Sequence, residues 1–134
     1  MKAASVDVTP ETRKLCERLL RGVVDNVPNA SGALLASADG HPVAFYLTDH
    51  EPGSTAAIAA SSLGLGQRLV ELVGNRDLDE IVVRSADGYV VIYSLGSLGA
   101  ITVLTRPSVN LAMLHLRARD LRRELTDALK GAAG

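Results

Sequence analysis

Cysteine, aromatic residues and excess charge are all scarce in this sequence of 134 residues. The single cysteine, Cys16, excludes an intrachain disulfide, and its position among leucines predicts a buried, inert thiol. Aromatic residues make up 3% and tryptophan is absent, which leaves too few rings for a base-stacking or sugar-stacking surface. The formal net charge is −1, so we expect no nucleic-acid partner.

Long apolar runs are missing as well. The first nine residues lack the basic start and the apolar run of about 7 to 15 residues that a signal peptide needs, and no segment approaches about 18 consecutive apolar residues. We therefore expect a cytoplasmic protein without membrane insertion. The length fits one domain over residues 1–134, ordered over about residues 9–130 and frayed at both ends.

The first part of the chain predicts a helix followed by a hairpin. Thr9 is a helix cap and Pro10 suits the first helical position, so the first helix is expected over residues 10–27. Strands are then expected over residues 32–36 and 42–47, joined by the turn Ser37-Ala38-Asp39-Gly40.

Residues 79–105 predict three consecutive strands. β-Branched and aromatic residues fill the three runs, and glycine, aspartate and serine lie between them. Asp87-Gly88 is a hairpin signal because glycine accepts a positive φ. The four residues Ser85-Ala86-Asp87-Gly88 repeat the earlier turn, which we interpret as convergent turn chemistry and not as a repeat architecture.

The helix predicted over residues 54–73, with Ser54 or Thr55 as its cap, is apolar around about half of its circumference. One interpretation is a single wide face on the sheet. The sharper one is two contacts, in which bulky residues face the sheet and a flatter seam meets another helix. The bulky residues are Ile58, Leu65, Leu69 and Leu72, and the seam is Ala59, Leu63, Gly66 and Val70.

Ser108 is expected to cap a last helix whose leucines recur at three- and four-residue steps. Its exposed side is rich in arginine, but Asp120, Glu124 and Asp127 are interleaved with the basic residues. A solvated face with ion pairs is therefore favoured over a site for an acidic partner. The order of elements, α-β-β-α-β-β-β-α with short links inside each strand group, predicts an α+β domain with one five-stranded antiparallel sheet.

No catalytic, cofactor-binding or metal-binding set is evident. His41, His50 and His115 lack the spacing of metal ligands, and the polar loop Asp49-His50-Glu51 is typical of a solvated connection. Gly64-Leu65-Gly66 lies within a predicted helix and not at a strand-to-helix turn, so it is not a dinucleotide site. We expect a protein that is not an enzyme and that acts through its surfaces.

The chain resembles the Roadblock/dynein light-chain domain over about residues 10–129. The resemblance is carried by Gly32-Ala33-Leu34-Leu35 leading to Asp39-Gly40 and Val43, by the alanine-rich second helix, by the Ile81-Val82-Val83 strand and by the closing helix. It implies helices on both faces of the sheet. It also implies a homodimer in which the third strand and the second helix each contact their counterparts and the sheet grows to ten strands. The interface residues on this basis are Ala59, Leu63, Gly66, Val70, Ile81, Val82, Val83 and Arg84.

A further implication of the resemblance concerns partners. Bacterial members resemble regulators of Ras-like small GTPases, which implies an adaptor or regulator with a GTPase-activating or scaffolding role, alongside a sensor histidine kinase. A structural scaffold without nucleotide-state preference and a small-molecule sensor domain remain alternatives. Residues 81–84 would lie at a sheet edge with unpaired backbone groups, and the same strand of a second copy would cover that edge.

Overall fold

The computed structural model describes residues 8–133. Three helices and five strands follow the predicted order and form one α+β domain, which confirms the predicted fold class. The bounds are α1 Pro10–Asn26, β1 Ala30–Ala36, β2 Pro42–Tyr46, α2 Pro52–Val70, β3 Glu80–Ser85, β4 Gly88–Ser94, β5 Ala100–Thr105 and α3 Leu111–Ala133, with a short 3-10 turn at Gly96–Leu98.

The five strands form one antiparallel sheet in the order β2-β1-β5-β4-β3. Strand β5 is central, and its Thr102 lies between Leu34 of β1 and Ile92 of β4. The first hairpin therefore joins the three-strand meander through β1 and β5. Strands β2 and β3 are the two edges of the sheet, and the edge position of β3 is the one that the sequence predicts.

The core is aliphatic and lies mainly on one face of the sheet. Helices α1 and α3 pack together on this face, where Leu20, Leu121 and Leu125 meet the side chains of β1, β4 and β5. Cys16 is fully buried in this cluster, and burial raises the pKa of its thiol, which confirms the predicted buried cysteine. Helix α2 alone covers the other face, over two smaller clusters.

The two repeated turns form as predicted. At the first, Ser37 Oγ donates to Asp39 and accepts the His41 amide at 3.1 Å. At the second, Ser85 Oγ accepts the Asp87 amide at 3.1 Å. Gly88 has φ +144°, and a Cβ there would lie 2.0 Å from the Thr105 carbonyl oxygen, so only glycine fits. The same four-residue sequence therefore connects the strands of two hairpins, with different hydrogen bonds from its serine.

Two helices begin differently from the prediction. Glu51 caps α2, because Pro52 takes the first helical position and the Glu51 carboxylate accepts the amides of Gly53 and Ser54 at 3.1 and 2.6 Å. In α3 the cap is Asn110, whose Oδ1 accepts the Met113 amide at 3.0 Å, and the predicted cap Ser108 lies outside the helix. Helix α3 also continues to Ala133, past its predicted end. The expected fraying of residues 1–7 and 134 falls outside the described residues.

Candidate interaction surface

Strand β3 leaves one side of its backbone without a strand partner among the described residues. It pairs with β4 alone, over the whole of Glu80–Ser85. Two of its valines are unusually accessible, with Val82 41% and Val83 52% exposed. An uncovered edge strand with apolar side chains is a template for pairing with another chain.

Helix α2 exposes its largest apolar side chains. Ile58, Leu65 and Leu69 are each about two-thirds exposed, and Leu72, just past the helix end, is 80% exposed. These four residues, which we call the α2 stripe, recur at seven-, four- and three-residue steps and so lie along one side of the helix. A run of bulky apolar residues in water on a monomer marks an interaction surface.

The structure reverses the two faces that the two-contact interpretation assigned to α2. The bulky residues were expected on the sheet and the small ones outside, but Ala56, Ala59 and Gly66 are the buried residues of α2. Ala59 packs with Ile92 and Ala100 of the sheet. The physical reason is distance: small side chains let the helix axis approach the sheet closely, and the large side chains are then left outside.

The predicted seam therefore belongs mostly to the protomer's own fold. A Cβ on Gly66 would lie 2.8 Å from Leu78 Cδ2 and 2.9 Å from Ile81 Cδ1. These two side chains of the same protomer therefore already occupy the space beside Gly66. Leu63 is only partly buried and packs on the Ala59 cluster, and Val70 is half-buried. Of the strand residues, Ile81 also packs on that cluster, while Val82, Val83 and Arg84 are exposed.

The α2 stripe and the β3 edge adjoin one another. Ile81 lies against Gly66 beneath the C-terminal half of α2, and Val83 points to the same face of the sheet two residues further along β3. One exposed apolar surface thus extends from the helix to the free backbone of the edge strand. The sequence contained this signal in the wide apolar arc of α2, but helical periodicity alone did not show which part of the arc is buried.

Residues 8–133 contain no group of three or more potential metal ligands. In the polar loop, the Glu51 carboxylate is engaged as a helix cap, and the amides of Ser54 and Gly53 lower its pKa. Hydrogen bonds from Ser37 and His41 similarly lower the pKa of Asp39 in the first turn.

Sequence patterns did not indicate one cluster of polar side chains that links α3 to the sheet. The Tyr93 hydroxyl lies 2.8 Å from His115 Nδ1, and His115 Nε2 lies 3.5 Å from Glu80 Oε2, so α3 is tied to both β4 and β3. Burial, followed by the Glu80 charge, raises the pKa of Tyr93. The three residues are far apart in sequence and share no motif, so only the fold brings them together.

Two open clefts lie at the end of the sheet, between α2 and the turn Gly96–Leu98 and between that turn and α3. Their volumes are about 340 and 400 Å³. Polar groups in the first cleft already have partners in the protein: Gln67 Oε1 accepts the Leu78 amide and Ser94 Oγ accepts the Gly96 amide. The second cleft is lined mainly by polar and charged residues, among them Asp79, Arg122 and Asp127. Within the part of the chain that is described, no helix has the length and apolar character to span a bilayer.

Comparisons with known proteins agree with this architecture. The family model for the Roadblock/LC7 domain matches residues 17–105. The Roadblock/LC7 domain from Streptomyces avermitilis is 24% identical, with a TM-score of 0.79 over 85% of this chain and 97% of that one. The gliding protein MglB from Thermus thermophilus is 15% identical, with a TM-score of 0.84 over 98% of this chain and 100% of that one. MglB from Myxococcus xanthus is 18% identical, with a TM-score of 0.76 over 93% and 99%.

No curated protein sequence matches the chain. The family model nevertheless spans well over half of the sequence, including the first hairpin, α2 and the whole meander. The solved structures share the same fold over nearly the full length of both chains. The chain belongs to the Roadblock/LC7 domain family.

Proposed function

We propose that this protein is a homodimeric, non-enzymatic regulator of a Ras-like small GTPase. The observation that carries the proposal is the apolar surface formed by the α2 stripe and the β3 edge, on a chain of the Roadblock/LC7 family. The absence of any metal-ligand cluster among residues 8–133 is compatible with action through surfaces. A GTPase partner implies a cytoplasmic location.

The dimer is the first part of the proposal. Pairing of β3 with the β3 of a second copy would satisfy the free backbone groups of both edges and extend the sheet from five strands to ten. The same arrangement brings the two α2 helices side by side, where Ile58, Leu65 and Leu69 can bury their side chains. Of the eight interface residues expected from the sequence, the proposal retains Val82, Val83 and Arg84. It replaces Ala59, Leu63, Gly66 and Val70 by the α2 stripe as the helix contact, and it leaves out Ile81, which packs within the protomer.

The GTPase is the second part. The resemblance of bacterial Roadblock proteins to GTPase regulators supports it, as does the shared fold with MglB of Thermus and Myxococcus. Two α2 helices in one dimer would present a broad surface on one side of a ten-stranded sheet. We propose that the GTPase docks on the assembled dimer and that the regulator biases the GTPase's own loops, with no catalytic residue supplied. A sensor histidine kinase is a further candidate for the same scaffold.

The test uses a Ras-like small GTPase from the organism that encodes this protein. Pull-down with the GDP form and with a non-hydrolysable GTP form, together with the rate of GTP hydrolysis, measures binding, state preference and activation. We expect tighter binding to one nucleotide state. Equal affinity for both nucleotide states would indicate a scaffold without nucleotide-state preference and not a regulator. No binding in either state would contradict the proposal.

A pair of variants links the result to the surface. Leu65→Asp with Leu69→Asp places two charges on the α2 stripe and is expected to abolish both dimer and GTPase binding. Leu116→Asp is the matched control, because Leu116 is 56% exposed on α3, on the opposite face of the sheet. The control should bind the GTPase as the unmodified protein does.

A further inference from the structure

The backbone groups of β3 alternate between the side that pairs with β4 and the open side. The Ser94 amide of β4 donates to the carbonyl of Asp79, the residue before β3, at 3.0 Å. The next amide, that of Leu95, donates instead to Gly99 on the side of β5, at 2.8 Å. Because this alternation continues along an antiparallel ladder, every second residue of β3 faces β4, beginning with residue 81. The residues whose N–H and C=O groups point to the open edge are Glu80, Val82 and Arg84.

The side chains of these three residues lie on the face of the sheet that carries α3. Glu80 Oε2 lies 3.5 Å from His115 Nε2 of α3, and alternation along the strand puts Val82 and Arg84 on the same face. Val82 and Arg84 are exposed. Arg84 forms no salt bridge with any residue in the described part of its own protomer. The open edge of β3 therefore carries an acidic, an apolar and a basic side chain, in that order.

This order of side chains is complementary to itself when the strand is reversed. Outward-facing residues lie opposite outward-facing residues in an antiparallel pair, so the registers of two β3 strands differ by two-residue steps. The register centred on Val82 places Glu80 opposite the partner's Arg84 at both ends. A shift by one step puts a charged residue opposite Val82, and it leaves one of the three outward residues opposite a residue outside β3. The centred register is thus the one that pairs every outward backbone group and both charges.

We propose that the β3 edge selects a second copy of this chain, in the register that places Val82 on the two-fold axis, and that Glu80 and Arg84 determine this specificity. The inference rests on the proposed homodimer and adds its register and the residues that choose the partner. Each Glu80 carboxylate pairs with the partner's Arg84, across strands whose facing Cα atoms lie about 5.5 Å apart. His115 of the same protomer holds Glu80 on this face. A foreign strand with one sign of charge at both positions meets a repulsive pair, which disfavours it.

Charge reversal at the two positions tests the specificity. Like charges face each other at both ends in a dimer of Glu80→Arg or of Arg84→Glu, so each dissociation constant should rise about tenfold or more. The variant that carries both changes restores opposite charges, and its constant should return to within about threefold of the unmodified value. Sedimentation equilibrium measures these constants. The control is Arg117→Glu on α3, with the same change in net charge as Arg84→Glu and an expected effect below about twofold.

A mixture of the two single variants separates a specific charge pair from a general loss of stability. When Glu80→Arg pairs with Arg84→Glu, every facing pair of charges is again opposite in sign, so the mixture should form mainly the heterodimer. Native mass spectrometry measures the three dimer populations, and circular dichroism confirms that each variant is folded. A statistical distribution of the three dimers would overturn the inference.

The variants Val82→Cys and Val83→Cys test the register without a change in charge. In the centred register, the Cα atoms of position 82 face each other at about 5.5 Å, within the span of a disulfide, whereas those of position 83 are about 7 to 8 Å apart. Mild oxidation should therefore link Val82→Cys into a covalent dimer about tenfold faster than Val83→Cys. The control is the unmodified protein, whose single cysteine is buried. Equal or faster cross-linking of Val83→Cys would contradict the centred register.

The same measurements separate this inference from the proposed function. An unmodified dimer whose dissociation constant is unaffected by both charge reversals contradicts the register and leaves the proposed dimer intact. An unmodified protein that stays a monomer at every concentration contradicts the dimer and the register together. None of these measurements involves a GTPase, so a failed GTPase pull-down leaves the register unaffected.

Discussion

Thr102 places a polar hydroxyl group in a buried part of the fold. It lies on the central strand, faces α2 and is 2% exposed, and its hydroxyl is the one buried side-chain group within residues 8–131 that has no hydrogen-bond partner. A buried, unpaired hydroxyl destabilises the folded state, whereas an apolar group of the same shape does not. Thr102 therefore reduces the stability of the sheet under α2.

Replacing Thr102 by Val should raise the free energy of unfolding by about 1 kcal/mol, because the isosteric methyl group removes the unpaired hydroxyl. Urea unfolding measures the change. The matched control is Thr105→Val on the same strand, where the hydroxyl accepts the Tyr89 amide at 3.2 Å and donates to the Arg106 carbonyl at 3.0 Å. That control should lower stability by about 1 to 2 kcal/mol. A destabilising Thr102→Val would show that the hydroxyl has a partner in solution.

Gly66 and Gly64 lie two residues apart in α2 and should respond oppositely. Leu78 and Ile81 fill the space at Gly66, so Gly66→Leu should destabilise by about 2 kcal/mol through overpacking. Gly64 has no atom within 4 Å of an added Cβ, so Gly64→Ala should stabilise by up to about 1 kcal/mol through helix propensity. Thermal or urea unfolding of both variants measures the difference. Similar effects at the two positions would contradict the buried placement of Gly66.

Among the elements, α2 departs furthest from the amphipathic rule. Alanine and glycine face the sheet and leucine and isoleucine face outward, because close approach of the helix leaves no room for large side chains beneath it. Its beginning also depends on one side chain, the Glu51 cap. Helix α2 therefore depends on the Glu51 carboxylate for its N-terminal cap and on small residues for its close packing on the sheet.

The Glu51 cap makes the stability of α2 dependent on pH. The pKa of Glu51 is lowered from its ordinary value of 4.5 in the folded protein, so its contribution is present above that value and is lost as the pH falls through the folded pKa. Relative to Glu51→Gln, the unmodified protein should be more stable near neutral pH, and the difference should disappear in acid. Urea unfolding of both proteins across pH measures it. A constant difference from neutral pH down to about pH 2 would contradict a role for the carboxylate charge.

For the whole molecule, the α2 stripe and the β3 edge form a surface that the monomer leaves in water. A standard interface buries roughly 800 Å² on each partner. An edge strand with an adjoining row of bulky apolar side chains provides both backbone and hydrophobic contacts for such an interface. The folded monomer therefore leaves in water a surface that is suited to association with another chain.

Light scattering should show a dimer for the unmodified protein and a monomer for Leu65→Asp with Leu69→Asp, because two buried, unpaired charges would oppose association. Leu116→Asp should remain a dimer. A dimer mass for the double variant would place the interface away from α2. Because side chains of the same protomer pack against Gly66, a charged residue at this position would disrupt the fold of the protomer. Such a variant would not report on association.

Local sequence patterns determined most of the architecture. Periodicity, turn residues and helix starts predicted three helices, five strands and their order along the chain, because these features depend on neighbours in the chain. The repeated Ser-Ala-Asp-Gly turns and the buried Cys16 follow from the same local rules. The resemblance to the Roadblock domain was also visible at this level, since its motifs are patterns of strands and helices.

Only the tertiary structure decided which faces are buried. Periodicity defines the apolar arc of α2 but not the distance to the sheet, and that distance puts Gly66 inside and Leu65 outside. Sequence patterns likewise did not indicate that His115 of α3 contacts Tyr93 or that Arg122 donates to the Ser94 carbonyl. Both outcomes depend on residues distant along the chain that become neighbours through folding, which is why they escape a local interpretation.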